Sequence, residues 1–299
     1  MNALQRNFLL LVTLAAAAAT PVLGQAAAPS AAIPNLSGWW IHPSIPGFEP
    51  LASGPTSLTN RSRRDGMNNI LQLVGDYTNP ILKPEAAAVV KKLGEMSIAH
   101  YGFHNPRNQC WPNGVPFILS LGVQLLQQPD KITMLYQVDH QVRHVRMNAQ
   151  HPAKVTPSWY GDSVGHYEGD TLVIDTVGIR KGPFAMVDWY GTPQTEALHV
   201  VERYRLIDYE AAKEGLERDR KENFRAQPGN MDANYRGKYL QLRFTVEDPN
   251  VFTTPWSGTV TYRRESPNMA WLEQICAENP NEYYKDRWIG LPKADRPDF

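Results

Sequence analysis

The chain has 299 residues, of which 30 are basic and 30 acidic, so its net charge is zero. Without an electropositive field it has no means of gathering nucleic acid or acidic lipid, and neither is expected as a partner. No nucleotide fingerprint, Walker loop or Cys/His cluster occurs, so no cofactor and no metal is expected, and a small molecule is the partner that remains.

Residues 1–24 read as a secretory signal: a basic start at Arg6, an apolar run from Phe8 to Ala19, and a small-residue exit ending at Gly24. The apolar run falls short of the roughly 20 residues that span a bilayer. No cysteine follows it, which argues against a lipoprotein anchor, and no later segment is apolar enough to cross a membrane. The mature protein is therefore expected in the periplasm or outside the cell, without a membrane span. In an oxidising compartment the two cysteines, Cys110 and Cys276, can form a disulfide.

Residues 25–122 read as an irregular arm with one helix. Asn35 to Pro80 is rich in Gly, Pro, Ser and Asn, with a short strand at Trp39–Ile41. Pro84 to Leu93 predicts a helix, with proline and Glu85 in its first turn, Lys91 and Lys92 near its end, and Gly94 behind it. From 123 to 299 the pattern is β-rich. One long strand is predicted from Ile132 through Val145, then a hairpin of Ser163–Tyr167 and Thr171–Thr176 around Gly169. Leu198–Ile207, Tyr239–Val246, Thr259–Arg264 and Ala270–Cys276 supply further strands. The charged insert 209–238 reads as a solvated helix with Glu214/Arg218 and Glu217/Lys221 at i,i+4 spacing, followed by a Gln227–Asn230 loop. Surface decoration is the plainer role for it, a lid the sharper one. Strands that follow one another without helices predict a mainly β fold. The expected form is an antiparallel barrel or curled sandwich, lipocalin-like, with one or two short helices and the arm in the same domain.

The run from Pro157 to Thr176, with its Gly165-His166-Tyr167-Glu168-Gly169-Asp170-Thr171-Leu172 centre, resembles the signature of a large uncharacterised family of exported bacterial proteins. Leu198 to Tyr204, Glu247-Asp248-Pro249, Cys110-Trp111-Pro112 and Ile275-Cys276 resemble it too, and the likeness covers roughly residues 34–280. His166-Tyr167 stands where that family usually has Arg-Trp, and the charged insert is not typical of it. The resemblance implies export from a bacterial cytoplasm and a β-rich fold. It implies no mechanism.

Gly161-Asp162-Ser163-Val164-Gly165 matches a nucleophile-elbow pattern, with Asp175 and His199 following in hydrolase order. That motif needs a strand-to-helix turn, and here the serine leads into a hairpin, so a Ser163 hydrolase is the least favoured alternative. His100/His104 and His140/His144 are four apart, but the first pair flanks Gly102 and the second lies in a predicted strand, so neither is assigned a metal. Polar groups in apolar strands are the better candidates. On one long strand Met134, Tyr136, Val138, His140 and Val142 share a face, which turns His140 inward and Arg143 and Asp139 outward. Glu202 stands between Val200 and Tyr204, with His199 and Arg203 on the opposite face, and Asp175 ends an apolar run.

His140, Asp175, Glu202 and His199 are accordingly the candidate catalytic residues, with Tyr136, Trp159 and Tyr204 lining the ligand site. A histidine against a carboxylate supplies acid/base chemistry without a cofactor. The function this points to is handling a small apolar or aromatic molecule, as a carrier or as a lyase, hydratase or isomerase. The competing reading is a structural or envelope-assembly protein, in which a buried carboxylate only locks strand register.

Overall fold

Alternating apolar and polar residues build the strands, and the first of them lies in the arm. The computed structural model describes residues 33–42, 47–61, 72–100, 102–222, 234–265 and 274–276. The leader pattern and the Gln227–Asn230 loop lie outside the described residues, as does most of the strand expected at Ala270–Cys276. β1 is Gly38–Ile41, β2 Glu49–Pro50 and helix α1 Pro84–His100. α1 continues through Gly94 because that glycine is a contact and not a stop: a Cβ there would meet Val74 Cγ1 at 2.8 Å.

The remaining strands are β3 (Val123–Gln127), β4 (Lys131–Tyr136), β5 (Gln141–Met147), β6 (Asp162–Glu168), β7 (Thr171–Val177), β8 (His199–Ile207), β9 (Tyr239–Glu247) and β10 (Trp256–Arg264). Helix α2, Tyr209–Glu222, separates β8 from β9. β3 to β10 pair in chain order, and β1 bridges β3 and β10, which closes a nine-stranded barrel; β2 adds to β10 beside the ring. Every pairing within the ring is antiparallel except β5–β6, which is parallel through Arg146↔Val164 and Met147↔Gly165. The expected antiparallel barrel is thus a mixed one. A parallel neighbour needs a crossover rather than a hairpin, and residues 148–161 supply it. Gly165 makes the seam possible, since a Cβ there would lie 2.9 Å from Val145 Cγ1 and 3.0 Å from Met147 Sδ.

The long strand expected from Ile132 to Val145 is two strands. Asp139 and His140 take left-handed backbone angles, with φ of 56° and 47°, and reverse the chain between β4 and β5. That reversal changes the side-chain phase. Ile132, Met134 and Tyr136 face inward on β4, but Gln141, Arg143 and Val145 do so on β5, and Val142 is 41% exposed.

The core fills the barrel with Trp40, Leu125, Ile174, Leu242, Phe244 and Trp256, and the arm's Leu36, Phe48 and Leu58 belong to the same cluster. Loops close one end. The turn Phe117–Ser120 is fully buried there; Leu119 O accepts from Tyr262 Oη, and Ser120 Oγ accepts from Trp189 Nε1 at 3.1 Å. Cys110 and Cys276 lie at disulfide distance, with sulfurs 2.25 Å and Cα atoms 5.3 Å apart. α2 is more than a solvated face: Ala212 is buried with Ile207 and Tyr239 in a small cluster of its own. Among the described residues, no helix is long and apolar enough to cross a membrane.

Candidate functional site

A row of ionisable side chains crosses the outer face of the barrel near the ends of β6, β7, β8 and β9. Side chains alternate along β7, so Asp175 points outward between the inward-facing Ile174 and Thr176. Asp175 is registered with Val201, which puts His199 on the next diagonal, and His199 is itself paired with Glu247. His199 Nε2 donates to Asp175 Oδ1 at 2.8 Å. The 148–161 crossover brings His151 onto the same oxygen, with Nε2 at 3.3 Å, while its Nδ1 meets Asp162 Oδ2 at 2.6 Å. Arg146 Nη2 holds both oxygens of Asp162, at 2.9 and 2.8 Å.

Partial burial works to raise the Asp162 carboxyl, but hydrogen bonds from His151 and Arg146 outweigh it and hold the group below the usual carboxylate range. His199 is 35% and Asp175 41% exposed, so both are open to solvent and their pairing contributes little to stability. With Nε2–H directed at Asp175, the other ring nitrogen of His199 is the one able to exchange a proton. It stands 3.9 Å from Glu247 Oε2, beyond hydrogen-bonding range. A carboxylate that fixes the tautomer and supports positive charge on the ring is the arrangement a histidine base needs.

Glu202 has a different job. It is fully buried inside the barrel, where Arg143 Nη2 and Nη1 donate to its two oxygens at 2.6 and 3.0 Å and Tyr204 Oη donates at 2.8 Å. Arg143 also donates through Nε to Ser163 Oγ at 3.1 Å and through Nη2 to Thr176 Oγ1 at 2.7 Å. Burial alone would make the guanidinium easier to deprotonate; the charge and hydrogen bonds of Glu202 more than reverse this. Burial also pushes the Tyr136 phenol up to about 12. This is a locked pair, with its lone pairs and protons committed.

The predicted residues therefore do not converge on one cavity. Asp175 and His199 come together outside, Glu202, Tyr136 and Tyr204 are buried inside, and His140 sits in the β4–β5 turn with its Nε2 buried and unpartnered. Arg143, expected to face outward, is the inward partner of Glu202, because the turn at Asp139–His140 reset the phase. Ser163 faces the same interior, on the opposite side of the sheet from His199, so a Ser163–His199–Asp175 triad is not assembled. Among the described residues, no group of three His, Cys, Asp or Glu side chains is arranged to hold a metal.

Trp159 lies apart from both networks, half-buried at the loop-covered end. The Trp111 ring meets it edge to face at 5.2 Å and meets Phe184 at 5.9 Å. The exposed Arg180 lies over the Trp159 ring at 5.3 Å. Hydrogen bonds from Ser158 N to Gly178 O and from Arg180 N to Ser158 O tie this cluster to the continuation of β7. β7 ends at Val177, and Gly178, with φ of 66°, carries the chain on to Ile179 beside this cluster.

No family model, curated protein or solved structure matches the chain.

The site is thus defined by its geometry, and His151, Asp162, Arg146 and Glu247 in it were not predicted as site residues, nor was Arg143 in the buried pair. His151 is a lone histidine in a loop with no partner at helical or strand spacing, and only the crossover brings it to Asp175. Arg143 had a signal: period-two alternation through Gln141, Arg143 and Val145 points it inward once a turn is allowed at Asp139–His140.

Proposed function

We propose that the protein works outside the cytoplasm on a small aromatic molecule, with His199 and Asp175 as an acid/base pair and the Trp159 cluster holding the ring. The observation that carries this reading is the 2.8 Å contact from His199 Nε2 to Asp175 Oδ1 on an exposed face, with His151 drawn to the same oxygen. In this reading His199 Nδ1 takes a proton from a substrate carbon and Asp175 supports the charge that forms on the ring. In an isomerisation the imidazolium returns that proton to another atom of the substrate; in an elimination it hands the proton to the departing hydroxyl, which leaves as water, and hydration is the reverse of that step. Export is supported by the Met1–Gly24 pattern and by a cysteine pair at disulfide distance.

The rival reading, a structural protein, has the Arg143–Glu202 pair in its favour, since that pair fills the barrel with fixed polar contacts. Turnover separates the two. The protein is incubated in heavy water with a panel of aromatic alcohols, ketones and enols, and proton NMR follows deuterium uptake or product. His199→Ala and Asp175→Asn should lower the rate by about 10²–10⁴-fold while far-ultraviolet circular dichroism stays unchanged. A panel untouched by the wild-type protein, or turned over equally by His199→Ala, would favour the structural reading.

A further inference from the structure

Two buried amide side chains flank the aromatic cluster and carry hydrogen-bonding atoms that nothing uses. Asn113 is 0% exposed, and neither its Nδ2 nor its Oδ1 has a partner. Gln194 is 3% exposed; its Nε2 donates to Arg180 O at 3.3 Å, but its Oε1 is buried and unpartnered. Gln194 thus reaches Arg180, and the backbone beside Asn113 packs on the same segment. At Gly114, next to Asn113, a Cβ would lie 3.9 Å from Ile179 Cγ2 and 3.2 Å from Trp159 O.

The polar neighbour at hand does not serve Asn113's side chain. Gln141 Oε1 accepts from the Asn113 backbone N and from Tyr160 Oη, both at 2.7 Å, and Gln141 Nε2 donates to Val138 O at 3.1 Å. Buried polar groups in folded proteins are rarely left this way, and several in one region call for a binding partner. The unused set is one amide NH₂ donor and two carbonyl acceptors. A carboxylate has no hydrogen for the two carbonyls, and an ammonium offers Nδ2 nothing to donate to. A hydroxyl group does both.

We propose that Asn113 and Gln194 recognise the hydroxyl groups of a phenol- or catechol-type ring packed against Trp111, Trp159 and Phe184. This rests on the aromatic-ligand reading above and names its chemistry.

The test compares catechol with 1,2-dimethoxybenzene, which keeps the ring and oxygens but has no hydroxyl hydrogen to give. Tryptophan fluorescence and calorimetry on the full mature protein read the affinities. Catechol should bind at least about 10-fold tighter than the dimethyl ether, and Asn113→Leu and Gln194→Leu should each erase most of that preference without weakening the ether. Where Asn113→Leu does not fold, Gln194→Leu gives the answer alone. Equal affinities in the wild-type protein overturn the hydroxyl reading and leave a ring site; binding of neither compound overturns it too, and assigns the two amides to internal water. A catechol preference that survives in His199→Ala while turnover is lost, or is never found, keeps this inference apart from the acid/base one.

Discussion

Asp188 shows how a single buried carboxyl sets a pH response. It accepts from Tyr190 N at 2.9 Å, Thr192 N at 3.3 Å and Thr192 Oγ1 at 2.7 Å, yet burial outweighs these bonds and raises its pKa from 3.8 to about 6. A carboxyl raised in the folded state contributes its full stability below about pH 4 and loses it as pH climbs through about 6. The loss is of the order of 3 kcal/mol. Asp188→Asn keeps the shape and removes the titration, so urea melts at pH 4 and pH 7 should show the variant gaining on the wild type by about that amount at the higher pH. An unchanged pH slope would place the response elsewhere. Glu202→Gln leaves the Arg143 charge buried without its counter-charge and should cost about 3–5 kcal/mol, whereas replacing Arg143 and Glu202 together with Met and Leu should cost much less. Urea-denaturation midpoints of the single and double variants decide it. Glu202 was legible as an interior carboxylate because Val200 and Tyr204 flank it at period two; its partner was not, since no local rule marks Asp139–His140 as a turn without glycine.

Among the elements, the β4–β5 turn has the widest reach. Asp139 Oδ1 accepts from Cys276 N at 2.6 Å and Asp139 N donates to Gln274 O at 2.7 Å, so the turn also docks the segment that carries the second cysteine. Bridging Cys110 to Cys276 across a sequence separation of 166 should stabilise the fold by roughly 5 kcal/mol through the entropy of the unfolded chain. Protein from a periplasmic fraction should therefore resist alkylation, have an intact mass lacking residues 1–24, and melt at a lower temperature once reduced. Two alkylatable thiols in the freshly isolated native protein would remove the bridge. The β6–β7 hairpin, β8 and β9 were readable from alternation because each is half-buried, whereas β10 is buried at every position from Gly258 to Tyr262 and was read only from Thr259 on. The parallel β5–β6 seam was not, since pairing across a crossover leaves no mark on either strand.

For the molecule as a whole, mainly β barrel architecture followed from strand after strand without helices, and the outer-face site did not. Asp175 and His199 could be named singly from the sequence. Their meeting with His151 depends on the parallel crossover that carries the chain from β5 back to the start of β6, a property of the sheet's topology. Closure has a further consequence, in time rather than space. β1, near the start of the chain, is held between β3 and β10, and Trp40↔Arg264 is one of the contacts that complete the circle. A growing chain cannot finish the barrel until residue 264 has left the ribosome. Contacts this distant in sequence make folding slow. If the chain is exported as proposed, late closure keeps it threadable for as long as synthesis lasts.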